Sequence, residues 1–203
     1  MESLNINSHS SIQIGNIFFD PFQIDQPNPI AKLIFITHTH FDHLSVDDIK
    51  KVLNKNTIII ASHDAKETLE TNFDNKIILV KPNEIFEIDG IKVETFASYN
   101  INKQFHPQEN NWVGYKITVD ETSYAVVGDT DATPELENIS ADVLFLPIGG
   151  TYTMTASEAS SLANKINPKL VIPTHYNAIV GSKADEKTFV NGLNGVDYKI
   201  LIK

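Results

Sequence analysis

Short apolar runs recur along the whole chain: Ile12 to Phe19, Leu33 to Thr37, Thr57 to Ala61, Ile77 to Val80, Ile91 to Phe96, Val113 to Val119, Tyr124 to Val127, Val143 to Leu146, Leu170 to Pro173 and Tyr198 to Ile202. Their length and β-branched character predict strands. Asp89-Gly90, between Ile85-Phe86-Glu87-Ile88 and Ile91-Lys92-Val93-Glu94, predicts a hairpin, and Asp120-Glu121-Thr122 predicts another, so antiparallel pairing is expected. Helical spacing appears at Val46, Ile49, Val52 and Leu53; at Ala65, Leu69 and Phe73; at Ala159, Leu162, Ala163 and Ile166; and at Phe189, Val190 and Leu193. Thr155-Ala156-Ser157-Glu158 has the form of a capping box that starts the third helix, which Asn167-Pro168 should stop. Strands interspersed with helices predict a mixed α+β fold.

A chain of 203 residues with 41% hydrophobic content suits one compact domain, expected over residues 1–203. The formal charge of −10 and the sequence pI near 5.0 oppose phosphate backbones, so nucleic acid is a poor partner and a small molecule a better one. No cysteine is present, which excludes disulfides, thiolate metal sites and a cysteine nucleophile. Any metal must therefore sit on His, Asp, Glu or water. The first twenty residues lack a basic start and a long apolar core, and no segment reaches the roughly eighteen apolar residues of a membrane span; a cytoplasmic protein is expected.

The candidate chemistry lies directly after the Leu33 to Thr37 run. His38-Thr39-His40-Phe41-Asp42-His43 packs four potential metal ligands into six residues, an arrangement that neither core packing nor surface solvation calls for. His38 and His40 are two apart and project alike, while Asp42 and His43 fall where the chain turns towards the Val46 helix. Two such pairs can serve two ions.

The stretch THTHFDHLS resembles the H-x-H-x-D-H signature of the metallo-β-lactamase superfamily. Val126-Val127-Gly128-Asp129-Thr130 is similar to that family's Gly-Asp element, and Val171-Ile172-Pro173-Thr174-His175 to the strand that delivers its last histidine. The resemblance spans residues 9 to about 177 and implies a four-layer αββα sandwich. It also implies a metal set of His38, His40, Asp42, His43, Asp129 and His175, with Asp129 bridging two divalent ions. Zn2+ is the first choice for both, with Mn2+ or another divalent ion as alternatives. Asp129, ending an apolar strand, would be costly to bury unless ligated or paired.

The sequence departs from the family pattern at the third histidine of the first metal site, where Ser98-Tyr99-Asn100 stands. Asn100 could offer an amide oxygen, His106 in the same loop could swing in, or the first site could bind weakly. His9 is a further candidate ligand, because HSSIQI followed by FFDPF resembles the opening of lactonase-like and phospholipase-D-like branches. Asp20 is expected to orient a ligand imidazole, and His63 to be structural. Pro147-Ile148-Gly149-Gly150-Thr151-Tyr152-Thr153-Met154 resembles a stretch of lactonase-like members, in the manner of ascorbate-6-phosphate lactonases. Tyr152, Asn100, Asn102, Phe105 and Trp112 are candidates to line a pocket.

The expected activity is hydrolysis of a small ester, lactone or phosphoester by metal-activated water, with Asp42 as the catalytic proton acceptor. Two other readings stay open: a metal-binding sensor or structural protein with little turnover, and an RNA or nucleotide phosphodiesterase.

Overall fold

A computed structural model of the chain describes residues 3–25 and 30–202. Among these described residues, twelve strands form two six-stranded sheets. The first sheet runs in chain order through β1 (Leu4–Ile6), β2 (Ile12–Ile14), β3 (Ile17–Phe19), β4 (Leu33–Ile36), β5 (Ile58–Ser62) and β6 (Lys76–Val80). The second contains β7 (Ile85–Ile88), β8 (Ile91–Ala97), β9 (Val113–Val119), β10 (Thr122–Val126), β11 (Val143–Pro147) and β12 (Leu170–Thr174). Helices α1 (Val46–Val52) and α2 (Lys66–Asn72) connect the parallel strands β4, β5 and β6. The helices α3 (Ala156–Ile166) and α4 (Lys183–Gly192) flank β12 in the chain.

Side-chain alternation assigns the layers. Ile34, Ile36, Ile59 and Ala61 pack with Ile49, Val52, Leu69 and Phe73 on the α1 and α2 face of the first sheet. Leu33, Phe35 and Ile60 point the other way and join Val93, Tyr115 and Ile117 of the second sheet in the central core. Leu162, Ala163 and Phe189 bring α3 and α4 into that same continuous core, with α3 packed on β11 and α4. The result is the αββα sandwich.

Local chemistry explains the helix ends. Thr155 Oγ1 accepts from the Glu158 amide while the Glu158 carboxylate accepts from the Thr155 amide, completing the expected box; Ser182 and Asp185 do the same for α4. Asn167 closes α3 in the left-handed conformation.

Three sequence expectations change. The run from Ile12 to Phe19 is two strands, because Gly15 at φ +58° turns the chain between β2 and β3. Pairing is mixed rather than purely antiparallel: β3 to β6 and β10 to β12 are parallel. Finally, Tyr198 to Ile202 forms no strand, only a bridge from Tyr198 to Val171. The Val171 amide donates to Asp197 O and its carbonyl accepts from the Lys199 amide. The next donor along β12 would be Pro173, which has no N–H, so the ladder stops there.

Candidate metal centre

Loops leaving both sheets converge at one place. The segment from His38 to His43 follows β4, Asp129 follows β10 after Val127-Gly128, and His175 follows β12. His9 comes from the turn between β1 and β2, and His106 from the loop between β8 and β9. Tyr115 on β9 donates its hydroxyl to Ile36 O at 2.8 Å, which ties the second sheet to the end of β4. Gly128 is required by close approach as well as by φ +68°, since a Cβ there would stand 3.2 Å from both Thr37 and Ser98 side chains.

Potential donors form overlapping groups: His9, Asp42, His43 and His175; His38, His40 and His106; and His38, His43 and Asp129. Membership of His38 and His43 in two groups makes Asp129 the carboxylate between them. Donor separations include 3.1 Å from His38 Nε2 to His40 Nδ1, and 3.3 Å from His43 Nε2 to Asp129 Oδ1 and from His106 Nε2 to Asp129 Oδ2. His175 Nε2 stands 2.8 Å from Asp129 Oδ2, and His9 Nε2 3.3 Å from Asp42 Oδ2. Two donors each ~2.1 Å from one tetrahedral ion stand about 3.4 Å apart, so these spacings suit ligands sharing a cation. His9 Nε2, His43 Nε2, His106 Nε2 and Asp129 Oδ1 are all buried without a hydrogen-bond partner. Buried polar atoms are normally paired, and a divalent ion supplies the partner this set lacks. The residues therefore fit a His/Asp-liganded divalent metal.

The far side of each ring is fixed. Asp20 Oδ2 accepts from His43 Nδ1 at 2.7 Å and from Thr37 Oγ1 at 2.7 Å, while Asp20 Oδ1 accepts from the Thr37 amide at 2.8 Å. Having spent its one proton on Asp20, the Thr37 hydroxyl must accept from His38 Nδ1, 2.9 Å away. Both His38 and His43 thus donate from Nδ1 to a fixed acceptor and turn Nε2 towards the donor cluster. Asn100 Oδ1 lies 3.1 Å from His106 Nδ1 and accepts from the His106 amide, and the Tyr152 carbonyl lies 3.2 Å from the same Nδ1, so both hold the His106 ring with Nε2 towards Asp129. Sequence reasoning anticipated the place of Asp20 but missed the Thr37 relay. The signal was available in a threonine directly before the motif.

Electrostatics follow from burial and crowding. Burial, then the neighbouring His43, hold His38 well below the usual imidazole range; burial, then His106, lower His40; and burial lowers His9 against the pull of Asp42. Burial opposes a charge on His43, yet Asp129 and Asp20 outweigh it and raise that imidazole well above its ordinary value. Burial likewise opposes ionisation of Asp129, but His175 and His43 hold its carboxyl well below the usual range. His9, Asp20 and His175 also adopt left-handed backbone, with φ of +49°, +45° and +57°. Such conformations cost about 1 kcal/mol or more each and persist where the surroundings dictate them.

Comparison with known proteins gives the same reading. The model of the Beta-lactamase superfamily domain matches residues 9–175. The chain belongs to the metallo-β-lactamase superfamily. The UPF0173 metal-dependent hydrolase of Thermoplasma acidophilum is 32% identical over 209 aligned positions, covering 93% of this chain and 90% of that protein. A crystal structure of a proposed metal-dependent hydrolase from Parabacteroides distasonis superposes with a TM-score of 0.85 at 29% identity, covering 98% of this chain and 93% of that one. The metallo hydrolase Igni18 of Ignicoccus hospitalis, at 20% identity, TM-score 0.74 and coverage of 98% and 94%, shares the fold. This superfamily member is accordingly a metal-dependent hydrolase of UPF0173 type, dependent on a divalent ion.

A cleft of about 240 Å³ opens onto His40, Asp42, His106, Asp129 and His175. Phe105 and Tyr152 line it as expected, joined by Phe41 and Ile179. Asn102 is exposed outside the cleft, and Trp112 is buried, its ring 4.9 Å from those of His38 and His40 and its Nε1 donating to Asp64. His63 is exposed at the start of a short 3-10 turn before α2. Among the described residues, no helix is long and apolar enough to cross a membrane.

Proposed function

We propose that the centre is dinuclear, with one ion held by His38, His40 and His106, a second by Asp42, His43 and His175, and Asp129 shared between them. His9 stands at the edge of the second set as an additional donor. The observation that carries this reading is the set of buried, unpartnered imidazole and carboxylate atoms gathered around Asp129. Zinc suits nitrogen and carboxylate donors best, with manganese the alternative.

When bound, such ions polarise a substrate oxygen and lower the pKa of water. The chain's own groups do the rest. Asp20, through Thr37 and directly, keeps the protons of His38 and His43 on Nδ1, and Asn100 Oδ1 with the Tyr152 carbonyl does so for His106. Asp42, 7% exposed and facing the cleft, is the group that takes up a proton at its carboxylate. The small cleft limits the bound molecule and the water beside it.

The substrate class is a small ester, lactone or phosphoester, with the lactone option supported by the Pro147 to Met154 stretch. A nucleic acid is disfavoured by the net charge of −10 and by a sequence without a single arginine, the residue best suited to phosphate forks. The test is to strip the protein with a chelator, restore zinc or manganese, and assay a carboxylic ester, a lactone and a phosphodiester. Turnover that disappears on stripping and returns with metal is expected on at least one class. Stoichiometric metal without turnover of any of them would refute the hydrolytic reading in favour of a metal-binding role.

A further inference from the structure

We infer that the metal cleft continues into an apolar subsite formed by Phe41, Phe105, Tyr152 and Ile179, and that the substrate places there an uncharged aryl or branched-alkyl group. A phosphate or carboxylate at that end of the molecule is excluded by the same surface. This inference rests on the hydrolase reading above and narrows it.

Large apolar side chains are rarely left in water in clusters without a role. Phe41 is 69% exposed, Phe105 45% and Ile179 40%, and all three line a cleft that also reaches His40, Asp42, His106, Asp129 and His175. They come from separate loops, after β4, between β8 and β9, and after β12, so no single amphipathic stretch produces the cluster. Their poses are supported from behind. The Phe105 ring stands edge-on to Tyr152 at 4.6 Å between centroids, and Phe41 edge-on to Phe22 at 6.0 Å.

Charge points the same way. Among the described residues no lysine lines the cleft, and the chain contains no arginine. Lys103, in the same loop as Phe105, is bound to Asp131. An anionic group extending beyond the metal centre would therefore meet phenyl rings with no cation to offset its desolvation. An apolar group would gain by covering them. The cleft volume of about 240 Å³ lies below the ~300–1,000 Å³ of sites for drug-sized ligands, which limits the group to one ring or a short branched chain.

The experiment uses zinc-loaded full-length protein, with bound zinc quantified before any ligand is added. Calorimetry then compares acetohydroxamic acid, benzohydroxamic acid and succinic acid monohydroxamate, which share a metal-binding head and differ in the tail. Benzohydroxamic acid should bind about tenfold or more tightly than acetohydroxamic acid, and the carboxylate-tailed compound no more tightly than acetohydroxamic acid. Phe105→Ala and Phe41→Ala should each shrink the phenyl preference by roughly three- to tenfold while leaving acetohydroxamic acid within about twofold. Ile85→Ala, on edge strand β7 and 68% exposed, should change neither.

Equal binding of the phenyl and methyl compounds, a preference for the carboxylate tail, or equal losses for all three in the Phe variants would overturn the subsite. So would a dimer that dissociates in Phe41→Ala with the affinity ratio unchanged, which would assign the rim to contact between copies of this chain. Failure of the protein to take up either zinc or manganese would instead overturn the metal-centre reading on which the subsite rests, so the two failures are told apart by the metal analysis.

Discussion

Asp20→Asn should damage metal binding while leaving the fold in place. Asp20 is 1% exposed and receives three protons, from the Thr37 amide, the Thr37 hydroxyl and His43 Nδ1, at 2.7–2.8 Å. Asparagine has the same shape but one acceptor oxygen. If that oxygen keeps the Thr37 amide, the new NH2 faces His43 Nδ1 and the Thr37 hydroxyl. His43 must then move its proton to Nε2, and Thr37, now accepting from the amide, turns its proton towards His38. Two prospective ligand nitrogens become protonated on the metal side. If the amide flips, its NH2 opposes the Thr37 N–H instead. Loss of one charge-assisted hydrogen bond is worth about 1.5–3 kcal/mol, which corresponds to roughly 10–100-fold in metal affinity. Trp112, the single tryptophan, sits 4.9 Å from the His38 and His40 rings and provides the fluorescence readout for titrating stripped protein with zinc in a competing chelator. Wild-type affinity in Asp20→Asn would refute the idea that ring tautomers are set from this carboxylate.

Asn100→Ala removes one of the two acceptors facing His106 Nδ1 and leaves the Tyr152 carbonyl at 3.2 Å, so it should weaken one metal site by roughly tenfold; zinc titration against a competing chelator checks this, and unchanged affinity would argue against Asn100 as a positioning residue. In the metal-free protein the histidine contributions to stability should reverse across pH 6.5, on top of a loss from Asp20, whose raised value removes its contribution as pH climbs above 3.8. Lowered values for His38, His40 and His9 penalise folding below their unfolded value of 6.5 and cease to do so as pH reaches it, whereas the raised His43 contributes fully below 6.5 and loses its contribution as pH climbs through its folded value. Thermal melts from about pH 5 to pH 9 test this, and a steady rise across that range would contradict the His43 assignment. Asp129→Ala should abolish metal-dependent turnover and lower metal content, while Glu70→Ala, on the exposed face of α2, should alter stability by no more than about 0.5 kcal/mol and metal content not at all.

Much of the fold was legible because its elements are locally determined. Amphipathic spacing and capping residues such as Thr155 and Glu158 act within a few positions of one another, and the Asp89-Gly90 hairpin is likewise local. Parallel pairing was not legible in β4 to β6, since these strands are joined through α1 and α2 and not by turns. The three-residue β1 is too short to leave a pattern, and the missing strand after Tyr198 depended on a proline in its partner. At the centre, the motif from His38 to His43 was identifiable from ligand density alone. The contact between Asn100 and His106 was not, because it depends on how the loop between β8 and β9 folds back on itself. Phe41 and Ile179 were missed as cleft residues for a related reason: single exposed apolar side chains carry no period, and only the tertiary fold shows that they meet.

The dinuclear assignment is tested most directly by locating the ions. Crystals of zinc-reconstituted protein measured at the zinc absorption edge should show two anomalous peaks on either side of the Asp129 carboxylate, one among His38, His40 and His106 and the other among Asp42, His43 and His175. A single peak, or peaks away from Asp129, would contradict the account.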